Sequence, residues 1–72
     1  MKWKDLIVGK RYEFRAANLP GFDWLSFTLI SKKYTGVHGG ILTVVWDATG
    51  MRRDMINAMH YLRTGCFREM GS

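Results

Sequence analysis

Cys66, His38 and His60 are the residues with which this 72-residue chain could do nucleophilic chemistry, because a reactive thiolate needs a base within hydrogen-bond reach. Nothing in their spacing holds them together. Cys66 follows Gly65 and opens a short alternating segment, a setting that suits a small buried hydrophobe. His60 falls beside a run of methionines, where a boundary position is expected, and His38 sits in a glycine-rich loop. Asp47 and Asp54 lie seven residues apart across a turn, so no carboxylate pair has a spacing that fixes general acid and base roles. One cysteine, two histidines and scattered acids make no zinc set. The expectation is therefore a non-enzymatic chain with no metal and no cofactor.

Binding chemistry is better represented. Arg11 and Arg15, with Trp24, Lys32, Lys33 and Tyr34, interleave cations with aromatic rings, the combination that stacks bases and neutralises phosphates in single-stranded nucleic-acid sites. His38, at the loop tip, could touch the same ligand. The loop itself, with Gly36, Gly39 and Gly40, matches neither the Walker pattern nor the dinucleotide fingerprint and joins two strands, so it reads as a mobile hairpin tip. A second patch is Arg52 and Arg53, which would stand at a helix start and could anchor an acidic partner although cations there oppose the helix dipole.

Composition agrees with a binding role. The net charge is +5 and the pI about 9.8, which favours acidic partners. The excess is uneven: residues 1–36 carry seven cations against three acids, and the rest carries four against three. Seventy-two residues allow one domain, 1–72, with a single core. With 47% hydrophobic and 24% charged residues, disorder is not expected. The lone cysteine closes no intrachain disulfide, so the fold must rest on packing, helped by oligomerisation if packing falls short. The opening residues read as no charged leader, and no apolar stretch approaches a membrane span, so the expectation is a cytoplasmic protein with no membrane partner.

These residues must be positioned by a small set of elements. Residues 3–8 read as an apolar entry turn packed by Trp3, Leu6 and Ile7 and stopped by Gly9. Residues 10–17 alternate, with Tyr12, Phe14 and Ala16 on the buried side, as a strand would. Residues 18–21 supply turn chemistry. Residues 23–34 alternate again, with Leu25, Phe27 and Leu29 inward and Ser26, Thr28 and Trp24 outward. Residues 41–46 are nearly continuously apolar, which reads as a central strand covered on both faces. After a turn in which Asp47 or Thr49 could cap a helix, Met51, Met55, Met59 and Leu62 fall on one helical stripe, giving an amphipathic helix near residues 51–63 with Gly65 as its C-cap. Residues 66–70 alternate briefly as an edge strand.

The order predicts an α+β domain: a small antiparallel sheet, or an SH3-like or OB-like barrel, of three to five strands with one helix. The run Asp5, Leu6, Ile7, Val8, Gly9, Lys10, Arg11, Tyr12 resembles the lead-in to SH3-like modules, where an apolar turn and a glycine precede the first strand. Two functions follow as expectations. One is a nucleic-acid or nucleotide binding module using the basic-aromatic face. The other is a small phage-type inhibitor or adaptor that occupies a host protein, working as a homo-oligomer where its sheet needs a partner.

Overall fold

The computed structural model describes residues 1–17, 19–37 and 39–70. A 3-10 turn, Trp3–Asp5, leads into five strands and one short helix: β1 (Arg11–Phe14), β2 (Leu25–Lys33), β3 (Ile41–Trp46), β4 (Arg52–Met55), α1 (Ala58–Arg63) and β5 (Phe67–Glu69). The strands form one antiparallel sheet in the order β4-β3-β2-β1-β5. Among the described residues β4 and β5 are its two open edges, so the sheet does not close into a barrel.

Alternation on the strands produces one dry face. Tyr12, Phe27, Leu29, Leu42, Val44 and Phe67 point inward and are fully or almost fully buried, and Leu6, Ala58 and Leu62 cover them from the entry turn and α1. Phe27 lies at the centre, with ring centroids 6.1 Å from Tyr12, 5.6 Å from Trp46 and 6.0 Å from Phe67. The Tyr12 hydroxyl accepts from the Ile7 N–H at 2.8 Å and reaches the Asp5 carbonyl at 3.3 Å, tying the entry turn to β1. Of the three side chains expected to pack that turn, Leu6 is buried and Trp3 packs against the core, whereas Ile7 is 57% exposed.

The main departure from expectation lies in residues 51–63, which are not one helix. Residues Arg52–Met55 extend the sheet, and only Ala58–Arg63 is helical. A four-residue spacing puts side chains on one face of a helix and equally on one face of a strand, so Met51 and Met55 fitted both patterns. Left-handed backbone at Gly50 (φ 69°) and Asn57 (φ 62°) brackets the segment and prevents a continuous helix. Met55 and Met59 pack against the core, and Met51 stays 46% exposed. Neither Asp47 nor Thr49 caps a helix; the Thr49 hydroxyl accepts from the Met51 N–H at 3.2 Å.

A second correction concerns β3. It has one dry face, with Leu42 and Val44 buried and Thr43 and Val45 half-buried, and the strand at the centre of the sheet is β2. The apolar outer residues of β3 had hidden its alternation.

The glycine-rich loop serves the core. The Gly39 and Gly40 carbonyls accept the Met59 and Ala58 N–H groups at 2.9 and 3.1 Å, satisfying the first amides of α1. Gly40 is buried with φ +89°, and a Cβ there would meet the Trp3 ring at 2.8 Å and Met59 Cγ at 3.3 Å. Gly40→Ala combines left-handed strain with a clash, and is expected to cost about 1–3 kcal/mol. Urea denaturation checks this as a lower midpoint with an unchanged slope.

Candidate functional site

The sequence pattern put Arg11, Arg15, Trp24, Lys32 and Tyr34 on one face, and the structure divides them between two ends of the sheet. The length of β2 sets Trp24 and Lys32 at opposite ends, and a register shift within β2 also turns Lys32 to the other face. Leu29 pairs with Val44, but Ser31 pairs with Thr43, so Ile30 is an extra residue that reverses the inward-outward alternation beyond it. Lys32 therefore sits opposite Leu42 on the inner side. Its ammonium donates to the Trp3 carbonyl at 3.1 Å and the Leu6 carbonyl at 2.7 Å, and lies 5.8 Å from the Trp3 ring. Tyr34, 66% exposed, meets Trp3 edge-on at 6.3 Å. Lys33 is exposed beside them, and His38 lies outside the described residues.

Trp24 is at the opposite end of β2, roughly 25 Å away at ~3.3 Å per residue. Here the geometry concentrates. The guanidinium carbons of Arg15 and Arg68 lie 4.5 and 4.1 Å from the Trp24 ring centroid. Arg68 Nε donates to Glu13 Oε1 at 3.0 Å, opposite it on β1, which fixes one guanidinium over the indole. Arg68 was absent from the expected site because only the β1–β5 pairing brings residues 13 and 68 together.

Beside this cluster is an apolar groove of about 490 Å³, lined by Trp24, Leu25, Ser26, Trp46, Ala48, Thr49, Met51 and Arg53. Such a volume suits a small organic ligand. Its walls come from the start of β2, the end of β3 and the turn into β4. Leu25 is 50% exposed there although it alternates with the buried Phe27, because the sheet ends before anything covers it. Arg52 and Arg53 stand on the exposed edge strand β4 and not at a helix start. Arg53 reaches back along the groove, its Nη2 3.8 Å from Met51 Sδ. Among the described residues it has no carboxylate partner.

Arg11 is bound differently. It forms an ion pair with Asp47, whose backbone N–H donates to the Ser26 carbonyl at 3.1 Å. The Arg11 hydrogen bond, then that of the Ser26 hydroxyl, hold the Asp47 carboxyl below its ordinary range. A depressed carboxylate pKa gives stability that is fully present above the unfolded value and is lost as pH falls through the folded one. Arg11→Met should raise the Asp47 titration midpoint and flatten the acid limb of the stability profile, which side-chain carboxyl NMR and denaturation at pH 2–5 would show.

The chain matches no family model, no curated protein and no solved structure. The site must therefore be read from its chemistry.

Of the residues weighed for covalent chemistry, Cys66 is buried with Sγ 3.3 Å from Thr64 Oγ1, while His60 is exposed and faces Tyr61. The described residues contain no group of three or more histidine, cysteine or acidic side chains arranged to hold a metal ion. No helix among them is long and apolar enough to cross a membrane.

Proposed function

We propose that this chain is a non-enzymatic, basic binding module that takes a nucleotide unit, free or within single-stranded nucleic acid, in the groove beside Trp24. The observation that carries the reading is the pair of guanidiniums stacked on Trp24 at the rim of an apolar groove. A base placed against Trp46, Leu25 and Met51 exchanges water for apolar and aromatic surface. Its phosphate then reaches Arg53, which lines the groove, or extends past Trp24 to Arg15 and Arg68 stacked on that ring, and guanidiniums offer paired N–H donors. Stacking on the indole orients two of those groups before the ligand arrives, which lowers the ordering cost of binding. The strand order, with a short helix between the last two strands, resembles SH3-like modules in an open form. A cytoplasmic location belongs to the same proposal and rests on the single unpaired thiol.

Anisotropy of a labelled single-stranded oligonucleotide, displaced by nucleoside monophosphate or by the uncharged nucleoside, tests this reading. Affinity should fall with rising salt in proportion to the phosphates contacted, and the monophosphate should compete far better than the nucleoside. Equal competition by the nucleoside, or affinity indifferent to salt, would sink it.

A second reading is favoured by the exposed Leu19 and Phe22, in the segment that leads to β2, and by Leu25 in the groove, at 57%, 47% and 50%. They suit the inhibitor or adaptor function, in which apolar anchors occupy a host protein. It predicts no saturable binding of either nucleotide or oligonucleotide.

A further inference from the structure

β4 ends the sheet on its side, and its backbone is arranged for another strand. The Trp46 N–H donates to the Met51 carbonyl. Antiparallel alternation then makes Val44–Arg53 and Leu42–Met55 hydrogen-bonded pairs as well. The intervening residues, Arg52 and Asp54, direct their N–H and C=O groups away from β3. Both side chains are exposed on the outer face, where Asp54 accepts from the Thr43 hydroxyl at 2.8 Å. Edge strands are commonly protected by charged side chains, lysine above all, by proline or by a β-bulge; β4 has no lysine, proline or bulge. This edge carries opposite signs two residues apart.

We propose that β4 is a self-pairing edge, on which β4 of a second copy of this chain docks antiparallel about a two-fold axis at Arg53. The register follows from two constraints. Only residues with outward-directed backbone groups can form the new ladder, which limits the choice to Arg52 and Asp54. Every such axis sets one residue against its own copy, and centring on Arg52 or Asp54 pairs like charges with no opposite-charge pair to offset them. Centring it on Arg53 sets each Arg52 against Asp54 of the other copy, with four backbone hydrogen bonds between them. On the inner side Met51, 46% exposed, then faces Met55 of the second copy. The opposing contribution is the approach of the two Arg53 side chains, which reach toward Met51 in water-exposed positions. The two grooves, each lined by Met51 and Arg53, adjoin across the axis.

The test is amide hydrogen exchange of the ligand-free protein against its own concentration, with mass measured by sedimentation equilibrium. As dimer forms, the Arg52 and Asp54 amides should slow, while those of Arg53 and Met55, already bonded to β3, should not change. Arg52→Asp should weaken association at least about tenfold, by replacing each opposite-charge pair with a like-charge one, and the Arg52→Asp/Asp54→Arg exchange should restore it. A protein still monomeric at about 1 mM, which corresponds to only about 4 kcal/mol of association, would overturn the proposal. So would a dimer whose Arg52 and Asp54 amides exchange freely, or a charge exchange that restores nothing. The exchange readout on the unaltered chain stands even where a variant folds poorly, and it is independent of nucleotide binding.

Discussion

Phe27→Ala is expected to leave the chain without a cooperative unfolding transition at 25 °C. Phe27 is fully buried on the central strand and touches three other aromatic rings. Truncating such a side chain costs about 3–5 kcal/mol through lost burial and the cavity left behind. A single core of this size seldom supplies more than about 3–5 kcal/mol in total, and no disulfide adds to it, since Cys66 is free. Loss of near-ultraviolet circular dichroism with a featureless thermal scan would show the effect. Phe27→Leu, which keeps most of the volume, should retain a sharp transition at lower temperature. A cooperative melt in the alanine variant would place the core elsewhere.

The second large effect is on binding. Trp24→Ala removes one wall of the groove and the surface on which Arg15 and Arg68 rest. Nucleotide or oligonucleotide affinity should fall by about ten- to a hundredfold, because both guanidiniums lose their platform and must be ordered on binding, at about 0.5–1.5 kcal/mol each. Stability should fall much less, because Trp24 is only half-buried and stands outside the core cluster. Titration of the variant beside the parent protein, with a melt of each, separates the two. A Tyr34→Ala variant is the matched control, since Tyr34 lies against Trp3 at the other end of the sheet.

How far the sequence disclosed this arrangement depended on what each pattern could distinguish. Tyr12, Phe27 and Leu29 were legible as core because period-two alternation over β1 and the first half of β2 is unambiguous. Residues 51–55 were not, since methionines four apart satisfy helix and strand alike, and asparagine adopts the left-handed backbone seen at Asn57 only occasionally. The bulge at Ile30 was equally silent, yet it moved Lys32 from the expected binding face to the carbonyls of the entry turn. Arg15 and Trp24 were found by residue type. Arg68 and Trp46 joined them through long-range strand pairing, and sequence spacing carries no information about that. The basic excess of the first half was real, but part of it is engaged: Arg11 with Asp47, Lys10 with Glu69, and Lys32 with backbone carbonyls.

The two ends of the sheet can be told apart by the three tryptophans. Trp24 and Trp46 line the groove, whereas Trp3 packs with Lys32 and Tyr34 at the far end. The most direct measurement is a two-dimensional 15N NMR titration of the protein with nucleoside monophosphate or a short single-stranded oligonucleotide, following the three indole N–H signals. Binding in the groove predicts saturable shifts of the Trp24 and Trp46 signals while that of Trp3 stays in place. Shifts confined to Trp3, or none of the three moving at saturating ligand, would contradict it.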